Sequence, residues 1–200
     1  MTKGGASANP TSFSPDDRLL AITRQTASAS GSFNIEVVSL ADGTVTPFPS
    51  SGSRGNGGQF SPDGRWMTFQ MADASGIGDI YVRAYPGGGA LRRVSTGGGV
   101  EPRWTRNGRE IVYLDFSGNP IAVDVSPEGD ALAIGNPHKL FDLPVAQVSG
   151  AGTFDASADG NRFVMLLGEA SSASLAKRTH VTVVFNFLEE LRRATAGAAK

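Results

Sequence analysis

Short apolar runs recur along the chain, and each run follows a cluster of turn-forming residues. Two clear examples are Trp66-Met67-Thr68-Phe69 and Ile111-Val112-Tyr113-Leu114. Runs of this length that are bounded by Gly, Pro, Asp and Ser are typical of β-strands rather than helices. The pattern therefore predicts many short strands joined by tight turns, with no helix between them.

The turn clusters belong to a repeated unit. In each copy an apolar residue, usually aromatic, precedes a Ser-Pro-Asp-Gly-like turn, an arginine and an apolar run. The copies are Phe13 to Ile22, Phe60 to Phe69, Trp104 to Leu114 and a weaker one from Ala156 to Leu166. They recur about every 45 to 50 residues, which is the period of propeller blades rather than of shorter helical repeats. The repeat therefore predicts a β-propeller.

The residue types of the turn have a physical explanation. Proline fixes φ near the value that the second turn position needs, Asp bonds the backbone two residues on, and Gly adopts positive φ. We predict a structural role for the turn residues Pro15, Asp16, Pro62, Asp63, Gly64, Asn107, Gly108, Asp159 and Gly160. The first and third turns depart from the pattern, with Asp17 at the glycine position and Arg106 at the proline position. The aromatic residues Phe13, Phe60 and Trp104 are predicted to belong to the core.

Two further strand candidates follow most hairpins, so each unit supplies a four-stranded antiparallel blade. We predict an all-β chain of about four blades, at residues 10–49, 56–96, 100–143 and 150–187, after a disordered start over residues 1–9. Asn186 and Glu189 form a capping box that predicts a short helix, and residues 188–200 contain the helix and a tail. A blade cannot bury both of its faces alone, so each blade is expected to stack on a neighbour.

Composition agrees with this fold and excludes some functions. The chain has 26 Gly and 11 Pro, and its charged fraction of 18% is low. Its 18 basic and 19 acidic residues give a net charge of −1, so there is no positive excess for nucleic acid. No run of about 18 apolar residues occurs, and no signal peptide is present, so we expect no membrane insertion by this chain.

No catalytic or metal-binding pattern is visible. The chain has no cysteine, and His138 and His180 lack the spacing of metal ligands. The carboxylates Asp16, Asp63 and Asp159 occur one to a turn, which favours a structural role over acid–base chemistry or metal binding. We therefore expect no cofactor, no metal and no catalytic residue in this chain.

Loops before the innermost strands are the candidates for binding, because loops at one end of a rigid scaffold commonly hold partners. The candidate residues there are Arg54, Asn56, Glu101 and Arg103. Glu101 and Arg103 alternate with Pro102 and Trp104, so they are predicted to face away from the core, toward the central channel. The predicted partner is a protein or a peptide.

The Phe-Ser-Pro-Asp-Gly-Arg unit resembles the Pro-Asp repeat of TolB-like β-propellers, a WD40-like repeat. A narrower similarity is to the propellers at the C-terminal end of bacterial serine/threonine protein kinases. The segments that show it are Asp79 to Arg83, Tyr85 to Gly87, Arg93 to Trp104 and Val183 to Leu191. The resemblance implies a ring of about six blades and a periplasmic or otherwise extracytoplasmic location if the parent protein is TolB-like or a membrane kinase.

Several hypotheses remain open at this point. The chain is either part of a larger ring, which we favour because of its length, or a closed four-bladed propeller. Its function is a non-catalytic binding or scaffold module or, alternatively, the sensor or regulatory segment of a kinase whose catalytic domain lies outside this chain. A third hypothesis is a fragment without a function of its own, whose exposed blade faces favour self-association or bind the missing blades of a parent chain.

Overall fold

A computed structural model describes residues 7–25, 33–49, 55–72, 78–142 and 154–165. This part of the chain contains fifteen strands and a single 3-10 turn at Arg106–Gly108. The strands form four separate antiparallel sheets in chain order, so the described residues are nearly all β, as predicted. None of their helical segments is long or apolar enough to cross a membrane.

The first two sheets have four strands each. The first sheet contains β1 (Ala8–Phe13), β2 (Leu19–Gln25), β3 (Phe33–Ser39) and β4 (Val45–Pro47). The second contains β5 (Gly55–Phe60), β6 (Trp66–Ala72), β7 (Gly78–Ala84) and β8 (Arg92–Arg93). In both sheets every strand pairs with the next one along the chain. β1 starts inside the predicted disordered segment, because Ala8 pairs with Arg24 and Asn9 with Thr23.

The third sheet has a divided outer edge. It contains β9 (Val100–Thr105), β10 (Glu110–Leu114), β11 (Pro120–Glu128), β12 (Ala131–Ile134) and β13 (His138–Lys139). β12 pairs with the end of β11, and β13 pairs with its beginning. β12 is a strand beyond the four predicted for each blade, and half of its residues are alanine, the strongest helix former.

The fourth sheet is described as a single hairpin of β14 (Phe154–Ala156) and β15 (Phe163–Met165). Residues 166–187 of the fourth predicted blade and the helix predicted within residues 188–200 lie outside the described residues. His180 lies outside them as well.

Serine hydroxyls bridge the two ends of the repeat turns. Ser61 Oγ donates to Asp63 Oδ1 at 2.5 Å and accepts from the Trp66 amide at 3.0 Å. The first and fourth turns contain the same hydroxyl–carboxylate bond, at 2.6 and 2.5 Å. In the third turn Thr105 Oγ1 donates instead to the buried carboxylate of Glu110, at 2.7 Å.

Two features explain why glycine occupies these turn positions. Gly64 has φ +71° and Gly108 has φ +85°, values that favour glycine over residues with a Cβ. A Cβ on Gly108 would also lie only 3.3 Å from Pro62 in the preceding turn, and one on Gly64 would lie 3.6 Å from Pro15. The turns of successive blades are therefore in contact with one another.

The core lies between successive sheets. Phe60 packs with Ala21, Ile35 and Phe48 in a cluster between the first and second sheets. Corresponding clusters join the second sheet to the third and the third sheet to the fourth. Each sheet is thus a blade that packs against the sheets next to it in the chain, as the repeat length predicts.

Phe13 is an exception, and its predicted place in the core is wrong. Its side chain is 60% exposed, compared with 7% for Phe60 and 8% for Trp104. All three residues have the same position in their hairpins, since Phe13 pairs with Leu20 just as Phe60 pairs with Met67. Phe60 and Trp104 are buried because each packs on the blade before it, and no described residues form a blade before the first one.

The first strand of every blade is the innermost. β1 contacts β5, β5 contacts β9, and β9 contacts β14. Residues of these four strands also line one shared cavity. The blades are therefore arranged around a common axis, which is the architecture of a β-propeller.

Candidate functional site

The four inner strands surround a concave cavity of about 380 Å³, which we call the central funnel. Its wall consists of Phe13, Gln59, Phe60, Arg103, Trp104, Asp155 and Ala156, and its rim of the turn residues Pro15, Ser61, Pro62 and Ala158. The repeat turns thus converge at one end of the propeller. Aromatic and proline side chains supply its apolar surface, and a few polar groups supply directional contacts.

One polar side chain per blade precedes the column of Phe13, Phe60 and Trp104. These residues are Ser12, Gln59, Arg103 and Asp155. Gln59 Nε2 donates to the Thr11 carbonyl oxygen at 2.7 Å, and Ser12 Oγ accepts from the Phe60 amide at 3.1 Å. Both bonds join the first blade to the second, so the polar column holds adjacent inner strands together.

Arg103 has the corresponding role between the third and fourth blades. Its Nε lies 3.1 Å from Asp155 Oδ1, and its Nη2 donates to the Phe154 carbonyl oxygen at 3.0 Å. Its Nη1 donates to the Pro102 carbonyl oxygen at 3.0 Å. The guanidinium is mostly buried and its three nitrogens are engaged, so Arg103 positions the fourth blade in this structure.

Two carboxylates flank this guanidinium. Glu101 Oε2 lies 3.7 Å from Arg103 Nη2 and accepts from the Phe154 amide at 3.2 Å. Glu101 has φ +53°, an uncommon value for a residue with a Cβ. The Asp155 side chain is 72% exposed, so it is the carboxylate of this cluster that a ligand can reach from the funnel.

The four predicted binding residues therefore differ in position. Glu101 and Arg103 lie in one ion cluster with Asp155, whereas Asn56 is half-buried in β5 opposite Gln70. Arg54 lies outside the described residues. Gln59 and Asp155 are funnel residues that the sequence reasoning missed, although their place one residue before the apolar column was a signal for them.

The loop of residues 97–101 lies at the opposite end of the blades from the repeat turns. Asp79 Oδ1 accepts from Ser95 Oγ at 2.7 Å and from the Gly98 amide at 3.1 Å. The ring of Phe116, which is 58% exposed, covers Gly98, where a Cβ would approach it to 2.1 Å. This predicted binding loop is thus held in place by side chains of the second and third blades.

The hydroxyl–carboxylate pairs in the turns do not form a catalytic arrangement. The hydrogen bond from Ser14 lowers the pKa of the Asp16 carboxyl, and the bond from Ser157 does the same for Asp159. These groups hold the turn backbone, and each is in a separate blade. His138 is exposed in an outer strand, and no group of His, Asp and Glu among the described residues could hold a metal ion.

Two solved structures of TolB proteins are similar to this chain. The putative TolB from Agrobacterium tumefaciens matches 71% of this chain and 51% of its own, with 22% identity and a TM-score of 0.57. TolB from Acinetobacter baumannii matches 84% of this chain and 39% of its own, with 21% identity and a TM-score of 0.58. The fold is a TolB-like β-propeller.

The chain spans about half or less of the length of these TolB chains. The β-propeller domain of the Trilobed protease from Pyrococcus furiosus is also similar, with 12% identity over 90% of this chain and 71% of its own and a TM-score of 0.47. No protein-family profile matches the chain, and no curated protein does.

Proposed function

We propose that this chain is a non-catalytic β-propeller module that binds a protein or peptide segment in the central funnel. The observation that supports the proposal is the funnel itself, a concave surface to which all four blades contribute. Ligand sites are typically concave, mostly apolar and equipped with a few polar groups. The funnel shares the concave shape, and it brings the apolar rings of Phe13, Phe60 and Trp104 together with the polar groups of Gln59, Arg103 and Asp155.

The chemistry of the funnel limits its partner. The exposed ring of Phe13 and the neighbouring rings of Pro15 and Pro62 favour an apolar or proline side chain. The exposed carboxylate of Asp155 accepts hydrogen bonds, so it favours a backbone amide or a cationic side chain. A peptide segment with an apolar residue beside a donor fits both features.

The predicted residues that do not line the funnel remain part of this proposal as a second contact surface. Arg54 and Asn56 are proposed to contact a partner there, whereas Glu101 and Arg103 act by positioning Asp155 and the fourth blade. The kinase-linked alternative rests on sequence resemblance alone. A periplasmic or otherwise extracytoplasmic location belongs to the same proposal and rests on the resemblance to TolB.

A library of random linear peptides displayed on phage tests the proposal. Peptides selected on the full chain should bind the Asp155→Lys variant about tenfold more weakly or worse, because the charge reversal repels cationic groups and removes an acceptor. Asp142→Lys is the matched control, since Asp142 is likewise an exposed aspartate paired with a cation. The control should bind the selected peptides as the wild type does.

Two outcomes would contradict the proposal. Selected peptides whose affinity is unchanged by Asp155→Lys would show that the funnel is not the binding site. Turnover of a substrate by the purified chain would contradict the non-catalytic part of the proposal.

A further inference from the structure

A second cavity, of about 590 Å³, lies at the outer edges of the second and third blades, and we call it the outer groove. One wall consists of residues 91–96, which include β8, and the other of residues 134–137, which join β12 to β13. The outer groove and the central funnel have no described lining residue in common. The outer groove is therefore a separate candidate site.

The wall on the third blade is a β-bulge. Ile134 pairs with Val125 and His138 pairs with Ala122, so the three residues 135–137 stand opposite only two residues of β11. The Gly135 amide fixes the start of the bulge, because it donates to the carbonyl oxygen of Asp124 at 2.9 Å. Bulges bend a strand and redirect its side chains, and they are frequent beside functional sites.

The two walls of the outer groove are joined to each other. Val94 is 2% exposed in the core cluster between the second and third blades, and Ile134 packs against the same cluster. Arg92 crosses between the blades, because its Nη1 donates to the Leu132 carbonyl oxygen at 2.6 Å. The groove is thus formed before any ligand binds, as is usual for ligand sites.

The outer groove carries more positive than negative charge. Arg93 Nη2 lies 2.9 Å from Asp79 Oδ1, whereas no ion pair between described residues includes Arg92. The carboxylate of Asp124, opposite the bulge, lies 3.8 Å from Arg106. No acidic residue lines the groove, so one of its two guanidinium groups is left for an anionic ligand.

Apolar surface lies beside these cations, since Leu91, Ile134 and Pro137 are half-buried lining residues. We propose that the outer groove binds an acidic peptide segment, with a carboxylate on Arg92 and Arg93 and a neighbouring apolar side chain on this surface. A guanidinium has five N–H donors in a planar fork that matches a carboxylate. The apolar surface favours a peptide over a small anion such as phosphate, which has no group to place there.

Fluorescence anisotropy with two labelled synthetic peptides tests the proposal. One peptide alternates glutamate and leucine, and the other has glutamine in place of every glutamate. The full chain should bind the glutamate peptide about tenfold more tightly or better, because only its carboxylates pair with the guanidinium groups. Equal binding of the two peptides overturns the proposal.

Variants of the chain locate the binding. Asn136→Glu places a like charge in the exposed wall of the groove without removing the Arg92 bond, so it should weaken binding of the glutamate peptide about tenfold. Arg92→Gln should weaken binding to a similar degree, and Asn136→Gln is the matched control that should leave it unchanged.

The proposal does not depend on what the central funnel binds, and a funnel variant separates the two sites. Asp155→Asn should leave the affinity for the glutamate peptide unchanged, because Asp155 does not line the outer groove. Binding that is unaffected by Asn136→Glu, or that is lost in Asp155→Asn, would place the peptide outside the groove and overturn the proposal.

Discussion

At the residue scale, the repeat turns depend on a hydroxyl that bridges two parts of the chain. Ser61 joins the carboxylate of Asp63 to the first amide of the following strand. Because the one hydroxyl of Ser61 holds both the Asp63 carboxylate and the Trp66 amide, it determines where the second strand of the blade begins. The third turn has an asparagine at the carboxylate position, and there a buried glutamate accepts the hydroxyl instead.

Removing the hydroxyl should be most harmful in the third turn. Thr105→Val leaves the Oε2 atom of buried Glu110 without its donor, so we expect the free energy of unfolding to fall by about 2 kcal/mol. Ser157→Ala removes the equivalent group in an exposed turn and should cost less than about 1 kcal/mol. Urea unfolding of both variants measures the difference, and equal losses would contradict this account.

Tyr113 should give the fold a dependence on alkaline pH. Burial, together with the charges of Asp115 and Asp79, raises the pKa of its phenol from 10.0 to about 12. A phenol whose pKa is raised by folding stabilises the fold fully below pH 10, and this contribution is lost as pH rises toward 12.

The variant Tyr113→Phe removes that titration. Urea unfolding between pH 9 and pH 11 should therefore show a shallower loss of stability with pH in the variant than in the wild type. If both proteins lose stability with the same slope, Tyr113 is not the group responsible. The unfolding midpoint at pH 7 serves as the reference for both.

At the scale of elements, the outer strands are protected against pairing with other chains. The amides of Phe48, Val94 and Leu140 each donate to a carbonyl oxygen in the third strand of their blade. The residue before each of them therefore points its backbone groups outward. Pro47, Arg93 and Lys139 occupy this position in the three blades whose outer edge is described. Proline and long cations are residues that protect exposed strand edges.

Removing this protection should favour aggregation through the edges. The double variant Pro47→Val with Lys139→Val should give a faster rise of light scattering on incubation than the wild type, because β-branched apolar residues extend the exposed edges. Arg18→Val, which removes an exposed cation from a turn, is the control. Equal aggregation of the double variant and the control would contradict an edge-specific effect.

Most of the strands and turns of this fold follow from the sequence, because each turn uses residues with a strong local preference. The apolar runs from Trp66 to Phe69 and from Ile111 to Leu114 were predicted as strands, and they lie within β6 and β10. The funnel was only partly predictable. Arg103 was identified from strand alternation. Gln59 and Asp155 have the same place before the apolar column, but the cavity that they line forms only when different blades come together.

At the scale of the whole molecule, contacts between blades organise both the core and the funnel. Trp104 shows this most clearly, since its ring fills the cluster between the second and third blades while its Nε1 donates to the Gln59 carbonyl oxygen at 3.1 Å. The same residue also lines the funnel. Stability and the candidate binding surface therefore depend on one column of residues, and Phe13 is its exposed member.

The most direct test of this account compares alanine variants along the column by urea unfolding at low protein concentration. Phe60→Ala and Trp104→Ala should each reduce the free energy of unfolding by about 3 to 5 kcal/mol, the usual cost of truncating a buried aromatic residue. Phe13→Ala should reduce it by less than about 1 kcal/mol, since 60% of that side chain is exposed. A loss for Phe13→Ala as large as that for Phe60→Ala would contradict the claim that blade-to-blade stacking buries this column.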